Sequence, residues 1–183
     1  SCPSRENECE IGCGGESGSN QPEAKSAAVS TDKPAEKPAE PAPAPAPAPV
    51  AEVVATPDEQ GVVHITANDQ MRFSHNRIDV KAGEKIRIEL KNEGSLPKEA
   101  MGHNLVVLKA EADVTAFGAK AIGAKATNYI PADGADQIVA HTKLLGPGES
   151  DVLEIESLAP GAYPFVCSFP GHLALMKGML VVQ

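Results

Sequence analysis

The sequence predicts an all-β fold, a Greek-key sandwich of seven to eight short strands, over residues 58–183 of the 183-residue chain. The clearest evidence is the segment EKIRIELK, in which Ile86, Ile88 and Leu90 fall on one face and Arg87 and Glu89 on the other. Similar β-rich runs recur at short intervals, and the turn sequences KAGE, GPGE, LAPG and FPGH separate them. Short strands with regular turns are typical of a Greek-key sandwich.

The predicted strands follow one another as GVVHITAND, RIDV, EKIRIELK, HNLVVLK, QIVAHTKLL, SDVLEIE, AYPFVC and GMLVVQ. The first begins with β-branched residues and ends on an Asn-Asp turn signal. Residues 110–135 interrupt the series, because they are rich in Ala with Asp and Thr near their start. That composition predicts one helical insertion in an otherwise β chain.

Residues 1–57 are predicted to be a disordered leader and tether. They hold ten of the 16 prolines and none of the six aromatic side chains. Within them, residues 34–50 read PAEKPAEPAPAPAPAPV, and the alternating Ala-Pro run removes every second backbone donor and prevents both helix and sheet. Such a segment is a semi-rigid spacer of about 50 Å. The folded domain is therefore expected to cover residues 58–183.

The composition excludes several classes of protein. The chain has 16 basic and 25 acidic side chains, a net charge of −9 and no basic cluster, which argues against nucleic acid or an anionic membrane surface as partner. No apolar run approaches the roughly 20 residues of a membrane-spanning helix. The chain shows no Ser/His/Asp order and no Gly-rich phosphate loop after a strand, so it is not expected to be an enzyme.

Three of the four cysteines, Cys2, Cys9 and Cys13, lie in the tail. A Cys near a processed N-terminus, followed by a long Pro/Ala tether, resembles a bacterial lipoprotein, and Cys2 is the candidate for the lipid anchor. A Cys9–Cys13 bridge is the alternative. The fourth cysteine, Cys167, has no partner within the predicted domain and calls for another explanation.

The segment AYPFVCSFPGHLALMKGMLVV offers that explanation. It places Cys167, His172 and Met176 at the spacing Cys-x4-His-x3-Met in a loop between two strands. A thiolate, an imidazole and a thioether within ten residues form a ligand set suited to copper. Structural zinc is the nearest alternative, but zinc sites are normally closed tetrahedra of Cys, His or carboxylate ligands and rarely include Met.

A trigonal copper site needs a second histidine from elsewhere in the chain, and four are available: His64, His75, His103 and His141. His103 is the best candidate, because MGHNLVV places it at the mouth of a strand. The preceding Gly102 allows close approach of the backbone.

The motifs MGHN, NDQM, AHTKLLGPGE and CSFPGHLALMKG resemble those of the azurins, the bacterial blue-copper electron carriers, from about residue 59 to the C-terminus. The resemblance implies a cupredoxin-like sandwich that holds one type 1 copper ion. It implies His103, Cys167 and His172 as equatorial ligands, Met176 as the weak axial ligand, and the Gly102 carbonyl on the opposite side.

The resemblance also assigns the surroundings of the site. It implies that Asn104 ties the two ligand loops together and that Asn104 and the Phe169 amide hydrogen-bond the Cys167 sulfur. His172, expected to be the exposed ligand, would pass electrons through a surrounding apolar docking patch, which consists of Leu96, Pro97, Ala100, Met101, Pro170 and Gly171. The Ala/Pro-rich tail resembles that of the lipid-anchored azurins.

The chain departs from the azurin pattern in three places. No Cys occurs between residues 14 and 166, so the usual disulfide between early strands is missing and a less stable domain is expected. Leu105 stands where a buried Trp is typical, and Asn92 where many members have a pH-sensitive His.

The expected function is therefore electron transfer by a single copper ion that cycles between Cu(I) and Cu(II), in the periplasm or cell envelope. The family implies redox partners such as c-type cytochromes or copper reductases. Two alternatives remain: a copper storage or chaperone module, and a surface-exposed protein in which copper is incidental.

Overall fold

The structure is a computed structural model, and it describes residues 51–183. The strands are β1 (Val54–Ala55), β2 (Val62–Asn68), β3 (Arg72–Phe73), β4 (Arg77–Val80), β5 (Ile86–Asn92), β6 (Val106–Leu108), β7 (Ile138–His141), β8 (Ser150–Ile155), β9 (Gly161–Val166) and β10 (Lys177–Val182). The α-helices are α1 (Lys98–Met101) and α2 (Val114–Gly123), and short 3-10 helices span Lys125–Thr127 and Ala132–Gln137. No helix in this part of the chain is long and apolar enough to cross a membrane.

The strands form two sheets that share one core. The larger sheet has the order β1-β4-β10-β9-β6-β7, and the smaller has the order β3-β2-β5-β8. β4 and β10, which are far apart in the sequence, lie side by side in parallel, and so do β2 and β5. The predicted β-sandwich is confirmed, and all eight predicted strands are present.

Alternation along the strands builds the core between the sheets. Along β5, Ile86, Ile88 and Leu90 are at most 2% exposed, while Arg87 and Glu89 lie on the outer face. The inward residues of both sheets pack into one cluster, which also contains Cys167 and Met176. The core therefore extends up to the predicted ligand loop.

The predicted helical insertion is also confirmed, as α2 and the two 3-10 helices that follow it. Asp113 caps α2, because its carboxylate accepts hydrogen bonds from the Thr115 and Ala116 amides at 3.0 Å each. Phe117 then packs into a second, smaller apolar cluster against Val166 of β9. The insertion thereby covers the outer face of the larger sheet.

Two features correct the sequence analysis. Ala55 is 6% exposed and belongs to the core, and β1 pairs in parallel with β4, so the packed domain begins before the predicted boundary at residue 58. The helix α1 was not predicted, and neither were β1 and β3. Each of these elements has two to four residues, too few to show a period. Residues 1–50, with the predicted tether and Cys2, Cys9 and Cys13, lie outside the described residues.

Exposed charged side chains form ion pairs on the outer face of the smaller sheet. The His64 ring lies between two carboxylates, with Nε2 2.9 Å from Asp58 and Nδ1 2.8 Å from Glu89. The hydrogen bond to Asp58 is the main cause that raises the pKa of His64 above its ordinary value. The pKa of Asp58 is lowered, mainly by the Val62 amide and then by His64.

We expect His64→Gln to destabilise the domain slightly, and more at pH 6 than at pH 9. The pKa of His64 is raised on folding, so the protonated ring stabilises the folded state. This stabilisation is complete below the unfolded pKa near 6.5 and is lost as the pH rises through the folded pKa. Urea unfolding of both proteins at the two pH values measures the difference. Asp58→Asn should show the same trend, and an equal loss of stability at pH 6 and pH 9 would contradict the assignment.

Candidate metal centre

The loop between β9 and β10 supplies three of the predicted ligands, Cys167, His172 and Met176. Its ends are pinned together, since the Cys167 amide donates to the Met176 carbonyl at 3.0 Å. Inside it, Gly171 adopts φ +82°, a left-handed conformation that favours glycine, and the His172 amide donates to the Phe169 carbonyl at 3.0 Å. These turns fold the loop back so that His172 lies over Cys167.

His103 comes from a different segment, between α1 and β6. Its backbone exchanges two hydrogen bonds with Leu145, at 3.2 and 2.8 Å, and the Asn92 side-chain amide donates to the same Leu145 carbonyl at 3.1 Å. A side chain at Gly102 would come within 2.6 Å of the Lys98 carbonyl, so only glycine fits before His103. Asn92, where many azurins have a His, thus has a structural role here.

The three potential ligands converge on one point. The Cys167 sulfur and one ring nitrogen from each of His103 and His172 all lie within 4.8 Å of one another. The sulfur is 3.7 Å from His172 Nδ1, and the two imidazole ring centres are 5.0 Å apart. Among the described residues, this is the only such cluster of His, Cys and acidic side chains. His64, His75 and His141 are not part of it.

The site has the properties of a metal centre. His103 is fully buried, yet neither of its ring nitrogens has a hydrogen-bond partner among the described residues. A buried polar group left unpaired costs about 1–3 kcal/mol, which coordination of an ion would offset. A thiolate and two imidazoles are ligands that copper prefers.

Burial sets the protonation of all three ligands. It raises the pKa of the Cys167 thiol to about 11, against the smaller opposing effect of the Asn104 and Phe169 backbone amides, which approach the sulfur. It lowers the pKa of His172 to about 4, with a smaller contribution from the charge of His103. It also lowers the pKa of His103, although the Asn68 carbonyl and the Asp69 carboxylate oppose the shift. Both imidazoles are therefore neutral at pH 7, as ligation requires.

Asn104 connects the two ligand segments. Its side-chain oxygen accepts from the Ser168 amide at 2.8 Å, and its side-chain nitrogen donates to the Ser168 hydroxyl at 2.7 Å. Asn104 and Ser168 follow His103 and Cys167 directly in the sequence, and both are buried. This double hydrogen bond fixes the distance between the two ligands from outside the site.

An aromatic stack covers the site on another side. The Phe169 ring lies 4.6 Å from the His172 ring, and Tyr129 meets Phe169 edge-on at 5.0 Å. Asn128 and Tyr129 hold left-handed backbone angles of +54° and +64°, which non-glycine residues rarely adopt. Sequence reasoning missed both Ser168 and Tyr129. Ser168 was detectable as the neighbour of Cys167, whereas nothing in the sequence pointed to Tyr129.

The remaining predicted site residues occupy two environments. Met176 is fully buried in the same core cluster as Cys167, and its amide donates to the His172 carbonyl at 2.8 Å. The six residues of the predicted docking patch are all exposed or half-buried, namely Leu96, Pro97, Ala100, Met101, Pro170 and Gly171. His172 itself is only 3% exposed, although its loop reaches the surface.

Comparison with known proteins agrees with this geometry. Residues 60–183 match the sequence family described as copper binding proteins of the plastocyanin/azurin family. The chain is 45% identical over 121 residues to outer membrane protein H.8 of Neisseria gonorrhoeae, an alignment that covers 64% of this chain and 65% of that protein. It is 43% identical over 125 residues to the azurin of Pseudomonas denitrificans, with 66% of this chain and 97% of the azurin aligned.

A solved structure shows the same fold. Auracyanin A, a blue copper protein of the photosynthetic bacterium Chloroflexus aurantiacus, superposes with a TM-score of 0.60 at 30% identity, covering 67% of this chain and 98% of auracyanin. The site formed by His103, Cys167 and His172 fits a single type 1 copper ion. The chain belongs to the plastocyanin/azurin family of copper-binding proteins.

Proposed function

We propose that the protein is an electron carrier that uses one type 1 copper ion and catalyses no reaction of its own. The observation that supports the proposal best is the burial of all three ligands, since His103 and Cys167 are inaccessible and His172 is 3% exposed. A catalytic metal site keeps a coordination position open to substrate. A buried, preformed site suits electron transfer instead.

The protein's part in this mechanism is to hold its ligands still. When bound, copper would supply a one-electron couple between Cu(I) and Cu(II). Asn104 holds the ligand segments at one distance, and the amides of Asn104 and Phe169 approach the Cys167 sulfur, a contact that tunes such a centre. We propose that Met176 and the Gly102 carbonyl would help His103, Cys167 and His172 to hold the ion.

We assign His172 as the residue through which electrons leave, because its loop reaches the surface while His103 lies deeper. The docking patch around it is uncharged and consists of exposed or half-buried residues. A small apolar patch fits transient redox encounters, which bury less than about 1,200 Å² in total. We propose redox proteins such as c-type cytochromes or copper reductases as partners.

Met101→Glu should slow electron self-exchange about tenfold or more and leave the optical spectrum unchanged. Self-exchange brings the docking patches of two copies together, so the variant faces its own added charge across the contact. NMR line broadening in mixtures of the two oxidation states measures the rate. Met179→Glu is the matched control, because Met179 is 39% exposed on β10. If both variants slow exchange equally, Met101 is not part of the contact.

We propose a cell-envelope location for the protein, and Cys2 as a lipid anchor. The support is the similarity to azurins and to a protein described as an outer membrane protein. Mass spectrometry of the native N-terminus tests the anchor, because acyl chains would add a defined mass to the peptide that contains Cys2. An unmodified Cys2 would remove the anchor from the proposal.

Repeated reduction and oxidation in the presence of a copper chelator separates a carrier from a chaperone. A carrier with a closed site should keep its copper through several cycles, and the colour should return after each oxidation. A storage or chaperone module must release copper to a competitor. Loss of copper to an equimolar Cu(I) chelator during the first reduced period would contradict the carrier function.

A further inference from the structure

A groove of about 420 Å³ borders the ligand loop. Leu175 and Lys177, which flank the predicted ligand Met176, form one wall, and Arg72, Phe73 and His75 form another. Leu175 is 52% exposed. The groove thus combines apolar side chains with basic ones.

The basic side chains of this groove are uncompensated. No carboxylate among the described residues lies within 4.0 Å of Arg72 or Lys177, and no acidic residue lines the groove. Some other basic side chains of the domain are paired: Arg77 lies 2.7 Å from Asp79, and Lys98 lies 3.0 Å from Glu149. Within residues 51–183, no acidic side chain therefore neutralises Arg72 or Lys177.

The opposite end of the sandwich has the opposite charge. A groove of about 530 Å³ there, next to the end of β10, is lined by Asp58, Glu59, Asp79 and Glu84, against Lys81. Residues 58–183 together carry 12 basic and 16 acidic side chains. The domain is thus acidic overall but polarised, with a basic groove at the end that holds the metal ligands. Such a distribution orients an approaching charged partner.

We propose that this groove docks the acidic face of the protein's redox partner, an inference that rests on the proposed electron-carrier function. Carboxylates of the partner would pair with Arg72 and Lys177, while its apolar side chains would contact Leu175 and Phe73. The paired charges would orient the partner and raise the rate of encounter, and the apolar side chains would allow the two proteins to approach closely.

The test compares Arg72→Gln/Lys177→Gln with Lys81→Gln/Lys109→Gln, which removes the same charge at the other end of the sandwich. Stopped-flow measurements at low ionic strength follow oxidation of the copper-loaded protein by hexacyanoferrate(III), an anion, and reduction by hexaammineruthenium(II), a cation. The groove variant should lose roughly fivefold in the rate with the anion but not with the cation, and the control should change little.

A second measurement needs neither copper nor electron transfer. Titration of the metal-free protein with redox-inert hexacyanocobaltate(III) should shift the amide NMR signals of Arg72, Leu175 and Lys177. The same titration of the groove variant should leave the signals of this region unshifted. Equal effects of the two variants, or shifts spread over the whole surface, would show a net-charge effect and overturn the proposal. If the copper-loaded protein is blue but exchanges electrons with neither hexacyanoferrate(III) nor hexaammineruthenium(II), the carrier function is overturned instead. The titration with hexacyanocobaltate(III) still decides whether the groove binds anions.

Discussion

Copper(II) added to the Cys167→Ser variant should give no intense blue colour. The colour of a type 1 site arises from charge transfer between the thiolate and Cu(II), and among the described residues Cys167 supplies the only thiol of the cluster with His103 and His172. Serine is close to cysteine in size, so the fully buried position should still be filled. Absorption spectra of both proteins after addition of one equivalent of Cu(II) measure the effect.

His64→Gln provides the control for this loss. It removes an imidazole that is exposed and lies outside the cluster, so the blue colour should remain. Far-ultraviolet circular dichroism should show that the Cys167→Ser protein is folded. A blue colour that survives the loss of Cys167 would mean that the thiolate is not a ligand, and the assignment of the whole site would fall with it.

Asn104→Ala should lower the free energy of unfolding by about 2–4 kcal/mol, because it removes two buried hydrogen bonds and leaves the Ser168 amide unpaired. Because the link between the ligand segments is lost, copper should also bind more weakly. Urea unfolding of the metal-free protein measures the first effect, and competition with a chelator measures the second.

Ser168→Ala tests the same contact from the other side. It removes only the hydroxyl bond and keeps the bond between the Ser168 amide and Asn104, so the loss should be about 1 kcal/mol. The order of the two variants is the informative result. If Ser168→Ala costs as much as Asn104→Ala, the amide bond contributes nothing measurable, and the assignment of a double hydrogen bond between the two segments is wrong.

The strands were largely predictable, because each long one buries one face and exposes the other. The alternation of Ile86, Ile88 and Leu90 between turn signals predicts a strand with one buried face. β1 and β3 were not predictable, since each consists of only two residues; β1 is held by pairing with the distant β4, and β3 by pairing with the end of β2. Ala55 illustrates the difference, because its burial depends on β4 and not on its own neighbours.

The site was predictable where its ligands lie close together in the sequence. Cys167 and His172 lie in one loop, so their spacing carried the signal. His103 was one of four candidate histidines, and Gly102 before it was the local clue that a structural contact now explains. The contacts of Ser168 and Tyr129 reach across the fold, with Tyr129 in an unusual left-handed conformation, and local sequence patterns do not encode such contacts.

The central claim is that His103, Cys167 and His172 hold one copper ion for electron transfer. A titration of the full-length protein with Cu(II), followed by reduction, tests it most directly. We expect an intense blue absorption that grows linearly and stops at one equivalent, is bleached by one electron per copper, and returns on oxidation. A colourless complex, or a blue colour that one electron per copper does not bleach, would contradict it.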